Sequence, residues 1–519
     1  MPSTTFASPP SSTPPPAAAP NDVDGDKLDA KAAFADALSV DVSARSNFSY
    51  EEGRKIMRGV DFHIMPLLML AYLLKNLDGN AISYVNSMNA GEPTNVRAML
   101  NMSQNMWAWT GTIFSISFVL TEMPSNMIMK VSTPRWHFIR IIGLWSIACA
   151  CTAASTNAAG ILTCRFFLGL FEGGLYPGIM VFLTFWYRPD EIGVRYALIN
   201  VLGQWASILD ALLTFGLSYV SGKHGLAGWQ ATFILLGSLG VVVAALFYFF
   251  MPNYPDTAYF LTDEERQWVQ ARLPANSARG TERNFSWKEV RLALTDPLTW
   301  GFMFLTLFYN SGTYGLNFWL PTIISDLGFT STAAKQLLNI PPAFIYVCSG
   351  VLGAWICDRF TKIPRPAYLL GNAVVLIGLF CGLAFCRSTK GLYALICVLQ
   401  VFAGWAINIY WPWRAQTLKG ASYAAVAIGF QNGGGGLAGF YTSQIFRSQY
   451  APHYVIPYML CVMFFALMGV TTLALWWATF AIERDTRRIS AKRRAAGRNN
   501  NEVVEDEVKI DEKVAQRAY

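Results

Sequence analysis

The sequence is short of charge. Asp, Glu, Lys and Arg make up 14% of its 519 residues, against 53% hydrophobic residues, and the mean hydropathy is +0.32. A water-soluble chain carries about 25% charged residues, because a surface facing water needs polar cover. That deficit excludes an ordinary soluble protein, and the modest net charge of +7 gives no reason to expect a nucleic-acid partner. Histidine is scarcer still, with four residues, and none stands with a cysteine at metal-ligand spacing, so no metal and no cofactor is expected. The nine cysteines (Cys149, Cys151, Cys164, Cys348, Cys357, Cys381, Cys386, Cys397 and Cys461) lie mostly inside apolar runs. They read as buried thiols rather than a disulfide framework. There is no nucleophile elbow and no phosphate-binding glycine loop, so an enzyme is not expected. No repeated selectivity signature argues for a channel. A signal peptide is missing too: residues 2–20 are Pro, Ser, Thr and Ala, without a basic start or an apolar centre. Residues 1–53 therefore read as a disordered cytoplasmic tail.

What the chain has in abundance is apolar length. A bilayer crossing needs about 20 residues, and twelve stretches qualify: 62–85, 106–128, 136–156, 159–187, 195–220, 229–251, 298–322, 333–357, 364–386, 390–413, 423–446 and 455–482. Of these, 195–220 and 423–446 are the weakest, being Gly-rich or interrupted by polar residues. The expected fold is an all-α membrane protein with twelve transmembrane helices. A polar segment at 253–297 divides them six and six, as a duplicated unit would be divided. Two six-helix bundles are expected, at 54–252 and 298–482, joined by a cytoplasmic central loop and followed by a tail at 483–519.

Lys and Arg set the orientation. They cluster before the first span, between the second and third, in the central loop, between the eighth and ninth, and after the twelfth. Both termini and the central loop are therefore expected in the cytoplasm. Asn101-Met-Ser then becomes a glycosylation site on the outer face, while the sequons at Asn47 and Asn284 face inward and stay unmodified. The basic run from Arg484 to Arg498 reads as a stop-transfer anchor, with anionic-lipid binding as the sharper alternative.

Several strings fall at matching places on these spans: Leu73-Leu-Lys75-Asn-Leu-Asp78-Gly-Asn80 in the first, Glu122-Met-Pro-Ser-Asn126 ending the second, Arg165-Phe-Phe-Leu-Gly169-Leu-Phe-Glu172-Gly-Gly in the fourth, Gly228-Trp-Gln opening the sixth, Phe318-Trp-Leu-Pro closing the seventh and Gly353-Ala-Trp-Ile-Cys-Asp358-Arg359 closing the eighth. Together they resemble the major facilitator superfamily, and within it the anion:cation symporters of the fungal allantoate permease type, over residues 54–483. The resemblance implies two bundles rocking about a central cavity, and proton-coupled transport of an organic anion or vitamin-like carboxylate; a multi-pass protein of the plasma membrane is expected. It implies no cofactor, and as partners the small solute, protons and lipid; a monomer is expected. Two alternatives stand beside import: export of a small metabolite on the same fold, and a transporter-like nutrient sensor. The chain departs from the family where Gly79 replaces a basic residue, Leu236 replaces a Glu before Gly237, and Trp413-Arg-Ala-Gln416 replaces Trp-Asn-Ala-Asn.

Ionisable residues inside a span are costly and mark function. Arg165 and Glu172 are seven apart, about 10.5 Å along one helix face. Glu172 reads as the proton-coupling acid with Arg165 as its charge partner or anion contact, since a carboxylate held away from water exchanges protons nearer neutral pH. The bland alternative is a structural pair locking helices. Lys75 and Asp78, three apart, read either as an intrahelical pair or as a substrate cation with a second acid. Asn80 is placed toward the cavity. Asp210 is an acid where a small residue is expected, either a second titrating group or a satisfied acid. Asn310, Tyr314 and Asn317 share a helical face and, with Asn408 and Trp411, are expected to bind substrate; polar glue between helices is the alternative. Arg414 is placed either with them or at the cytoplasmic end. Asp358, Arg359 and Arg365 resemble the superfamily's gating loop, with Glu122 and Asn126 standing in for its first-half counterpart. The proline pair Pro341-Pro342 and Pro412 are expected to kink their spans.

Overall fold

The computed structural model describes residues 48–222, 225–273, 287–327, 334–360, 363–418, 421–450 and 454–495. Among them there is helix and no strand. The helix α1 (Tyr50–Ser87) starts at a capping box, in which Ser49 and Glu52 satisfy each other's backbone N–H groups. Next come α2 (Gln104–Val131), α3 (Pro134–Thr152), α4 (Ala158–Glu172), α5 (Leu175–Trp186), α6 (Pro189–Gln204), α7 (Ala206–Ser218) and α8 (Gly228–Phe250). Two short helices, α9 (Asp263–Ala271) and α10 (Trp287–Thr295), lie in the connector. The second half contains α11 (Pro297–Asp326), α12 (Ile340–Arg359), α13 (Arg365–Phe385), α14 (Thr389–Ala415), α15 (Ala421–Gly436), α16 (Gly439–Ile445) and α17 (Val455–Ala495).

Each of the twelve expected spans is helical, and among the described residues eight are long and apolar enough by themselves to cross a bilayer. The remaining four, around 104–131, 134–152, 297–326 and 421–445, lie outside that set. Three spans are broken rather than continuous. The fourth stops at Glu172 because Gly174 turns left-handed at φ 95°, a conformation open to glycine at no cost. A Cβ on Gly174 would lie 2.6 Å from Ser125 Cβ, so this turn also lets the chain press against α2. The fifth breaks at Trp205, and the eleventh between Gly436 and Gly439. These last two are the spans whose apolar pattern is weakest. Pro341 and Pro342 do not kink their span. They sit in the first turn of α12, where a missing N–H costs nothing, while Pro412 does lie inside α14. The last helix runs beyond the expected end at 482 to Ala495.

Within the first half, α8 packs closely on α3, and α2 on α4. Gly237 makes the first contact possible, since a Cβ there would meet Ser146 O at 2.8 Å and Ala150 Cβ at 2.7 Å. Gly237→Val is expected to cost about 1–3 kcal/mol through overpacking, seen as a lower unfolding midpoint of the purified protein; an unchanged midpoint would show that this contact bears no load. In the second half α13 packs on α17, and α12 on α14.

The connector is divided between the halves. Its first part clamps the first half: Arg272 forms a two-pronged pair with Glu191 at 2.9 Å, and Phe260 stacks on His63. Its last part, α10, buries Ala293 against Tyr423 and Ala427 of α15. At the opposite end, hydrogen bonds join the halves directly. Asn86 donates to Thr322 Oγ1 at 3.0 Å, Gln336 donates to Ser87 Oγ at 3.0 Å, and the Thr112 and Ser443 hydroxyls lie 3.0 Å apart.

Candidate functional site

Between the halves lies a central cavity of about 350 Å³. The first half contributes a polar stripe along α1: Tyr72, Asn76 and Asn80 recur every four residues and so share one face. Lys75, Phe114, Phe118, Arg165 and Tyr176 complete that wall. The second half supplies Tyr309, Asn310, Tyr314 and Asn317 from α11, Tyr346 from α12, Tyr410 and Trp411 from α14, and Asn432 from α15. Among the described residues this wall holds two cations, Lys75 and Arg165, and no carboxylate.

The acids stand immediately behind it. Glu172, the last residue of α4, is wholly buried and pairs with Lys75 Nζ at 3.4 Å. Lys75 remains 23% exposed, so one face of its ammonium stays open to the cavity. Arg165 is buried, with its guanidinium 4.7 Å from the centre of the Phe114 ring. Its Nε and Nη1 have no hydrogen-bond partner among the described residues, while Asp78 and Glu172 lie within electrostatic reach. Asp78 accepts a hydrogen bond from the Cys149 thiol at 3.1 Å. Gly169 of α4 and Gly173 just after it allow this closeness, since Gly169 faces the Phe114 carbonyl and Ser117, and Gly173 faces Thr121, of α2 with no room for a Cβ.

Several sequence expectations change here. Lys75 and Asp78 do not form the intrahelical pair: Lys75 turns to Glu172 on α4 and Asp78 to Cys149 on α3. Arg165 is thus a near neighbour of Glu172, and Lys75 is its ion-pair partner. Asp78 and Asp210 are buried outside the cavity wall. Asn408 is not on that wall either. Its amide donates to Gly404 O at 3.1 Å and to Gly350 O at 3.3 Å, because the glycines at 350 and 404 bring α12 and α14 together at that level. Asn310 reaches the wall but is buried and donates to Gly435 O at 3.0 Å, whereas Tyr314 is 43% exposed and Asn317 is exposed. Arg414 is off the cavity wall, at the connector end of α14. It is fully buried and donates to Thr417 at 2.9 Å and Thr299 at 3.0 Å.

The expected gating residues are dispersed. Glu122 is buried and accepts a hydrogen bond from Asn432 of the opposite half. Gly433 beside it leaves space for the carboxylate. Arg359 is exposed, Arg365 lies within electrostatic reach of Glu483 on α17, and the side chains of Asn126 and Asp358 lie outside the described residues. The sequons at Asn47 and Asn284 also lie outside them. Asn101 is exposed in the α1–α2 connection. Asn432→Leu removes a donor from a buried carboxylate, which costs about 1–3 kcal/mol; the expected result is a lower unfolding midpoint that Glu122→Gln does not lower further in the double variant.

The phenol-rich character of the wall is not in the sequence reading. Tyr72, Asn76, Tyr176, Tyr346, Tyr410 and Asn432 all line the cavity. The four-residue spacing of Tyr72, Asn76 and Asn80 in an apolar run was a usable signal, and so was Gln431-Asn432 ahead of its glycines. Nothing local marks Tyr346 or Tyr410.

Comparison with known proteins agrees with this architecture. Residues 62–443 match the family model of the Major Facilitator Superfamily. The chain is 28% identical over 400 residues to the MFS transporter prlL of a fungal species (strain NRRL 50135), covering 76% of this chain and 80% of the relative. It is 26% identical to a putative tartrate transporter of Agrobacterium vitis, over 74% and 83% of the two chains. It is also 26% identical to the major facilitator-type transporter hxnP of Emericella nidulans, over 78% and 81%. Among solved structures, the proton:xylose symporter XylE aligns with a TM-score of 0.61 at 16% identity, over 80% of this chain and 95% of that one. The chain belongs to the Major Facilitator Superfamily and is a multi-pass membrane transporter, not an enzyme.

Proposed function

We propose that the protein imports a small organic anion by proton symport, in the manner of the anion:cation symporter branch and its fungal allantoate permease-type members. One observation carries this reading: among the described residues the cavity wall presents Lys75 and Arg165 and no carboxylate, while Glu172 sits behind Lys75 at 3.4 Å. A substrate carboxylate entering the cavity meets a cation whose charge Glu172 already balances. Protonation of Glu172 removes the competing anion and leaves Lys75 to the substrate. Loss of that proton on the other side restores the ion pair and expels the anion. Proton and anion therefore bind best together, which is what symport requires. Tyr314 and Asn317 supply hydroxyl and amide groups for the substrate body, and Phe114, Phe118 and Trp411 its apolar walls. Asp78 stays behind the wall as a fixed neighbour of Arg165.

In this reading the chain works as a monomer in the plasma membrane with both termini and the connector in the cytoplasm. Arg359, Arg365, Glu122 and their neighbours bias the opening at the connector end. The exposed Asn101 then faces outward, and a shift in gel mobility on deglycosylation, absent in Asn101→Gln, tests that orientation. The direct test is uptake of labelled organic acids, vitamins and ureides in a transport-deficient yeast at acid and alkaline external pH, with and without a protonophore. Uptake that is greater in acid and collapses with protonophore supports the reading. Failure to take up any of them, with the protein at the cell surface, overturns import and moves the question to efflux.

A further inference from the structure

A second buried acid stands apart from the Lys75–Glu172 pair. Asp210, on α7, has 0% exposure. Its one polar neighbour in donor position is the side-chain amide of Asn80, and neither carboxylate oxygen closes a hydrogen bond of full geometry among the described residues. Ser207 lies one turn earlier on the same helix, and Asn80 and Tyr84, four apart on α1, face it. The Asn80 amide also donates to Ser207 Oγ at 3.2 Å.

Those three neighbours line a second, mostly polar chamber of about 130 Å³. It shares Asn76, Asn80, Gln204 and Asn317 with the central cavity, so the two adjoin. The chamber has room for about four waters.

The charged surroundings are what make this acid unusual. The ionised group within electrostatic reach is Asp78, another acid. The packed segment 334–339 offers Lys335, but that lysine lies in the field of Asp326 instead. The neighbouring helix α12 offers Tyr346, and α8 offers Tyr248 at its exposed end. Among the described residues no Lys, Arg or His is set against Asp210. A carboxylate held out of water with no cation against it, and only the neutral Asn80 amide as a donor, is unfavourable as an anion, and a proton is the one cation that needs no further ligands.

We propose that Asp210 is a second proton-binding site of the transport cycle, loaded and emptied through this side chamber. The step is a simple transfer: a hydronium in the chamber gives its proton to a carboxylate oxygen, an O–H bond forms, and water remains. The proposal rests on the proton-symport reading for its consequence. With Glu172 and Asp210 each carrying a proton, a monovalent anion crosses with a net charge of plus one, and uptake is driven by membrane potential as well as by the pH gradient.

The test needs no substrate. Full-length protein in nanodiscs is titrated while infrared difference spectra follow the carboxylic-acid C=O stretch, for wild type, Asp210→Asn, Asp210→Glu and Glu172→Gln. The expected result is a titrating C=O band that is lost in Asp210→Asn, shifted in Asp210→Glu, kept in Glu172→Gln, and downshifted in D2O. A band lost in Glu172→Gln and kept in Asp210→Asn reports the first site separately, so either site can fail alone. Spectra in which Asp210→Asn, folded as judged by circular dichroism, removes no band, or removes one that neither titrates nor exchanges, overturn the proposal. A midpoint that shifts when sodium replaces choline in the buffer also overturns it, and assigns the site to sodium.

Discussion

Cells or vesicles carrying Glu172→Gln are expected to lose the share of proton-driven accumulation that Glu172 couples while keeping exchange of substrate against substrate. Glutamine keeps the shape of the side chain, so the cavity wall should survive. It neither binds nor releases a proton, so the Lys75 ammonium, 3.4 Å away in the wild type, is permanently open to the substrate anion. Binding at Lys75 then no longer depends on the protonation of this residue, and a pH gradient does no work at this site. Each pH unit across the membrane is worth about 1.4 kcal/mol, or about tenfold in accumulation, for every coupled proton. Loss of the Glu172 proton should therefore lower steady-state accumulation about tenfold per unit of gradient, measured as the ratio of internal to external label. The sign follows from the ion pair: in the wild type, acid outside favours the protonated carboxyl, frees Lys75 and raises apparent affinity, whereas the variant loses this contribution to the pH dependence. Accumulation at wild-type level in Glu172→Gln would remove this residue from the coupling mechanism.

Lys75→Met is expected to have the second large effect, on stability as well as on transport. It leaves Glu172, with no exposure, beside a neutral side chain. Removing one partner of a buried pair costs about 3–5 kcal/mol because the other charge is left uncompensated. The part of Lys75 that stays wet and the nearby Arg165 place the expected loss at the low end of that range, about 3 kcal/mol. The double variant Lys75→Met/Glu172→Gln should regain most of the unfolding midpoint, since no ionised acid is left without its partner, and still fail to transport, since the substrate cation is gone. A double variant as unstable as Lys75→Met alone would show that Lys75 stabilises by packing on Phe118 and not by charge. Arg165 is not expected to take over, because its guanidinium is held against the Phe114 ring.

The sequence alone determined that this chain lives in a membrane. Low charge and twelve apolar stretches leave no other solvent, and in a bilayer a backbone with no water to bond must close its hydrogen bonds within helices. It also determined which residues are too costly to be there by accident: Lys75, Asp78, Glu122, Arg165, Glu172 and Asp210 each carry a charge inside an apolar run.

Their partners were not legible, because a side chain on a helix chooses between neighbours on its own helix and neighbours across a packing interface. Sequence spacing displays only the first kind. Thus Lys75 and Asp78, and Arg165 and Glu172, looked like pairs along one helix. The tertiary structure joined Lys75 to Glu172, Asp78 to Cys149 and Glu122 to Asn432 instead. The packing glycines are the physical reason. Gly169, Gly173 and Gly174 bring α4 against α2, and Gly350 and Gly404 draw α12 onto α14, taking Asn408 from the cavity and giving it to the helix contact. Which acid faces a cation, and which, like Asp210, faces none, is set by how closely helix backbones approach, and that distance is decided only when both halves have folded around the cavity.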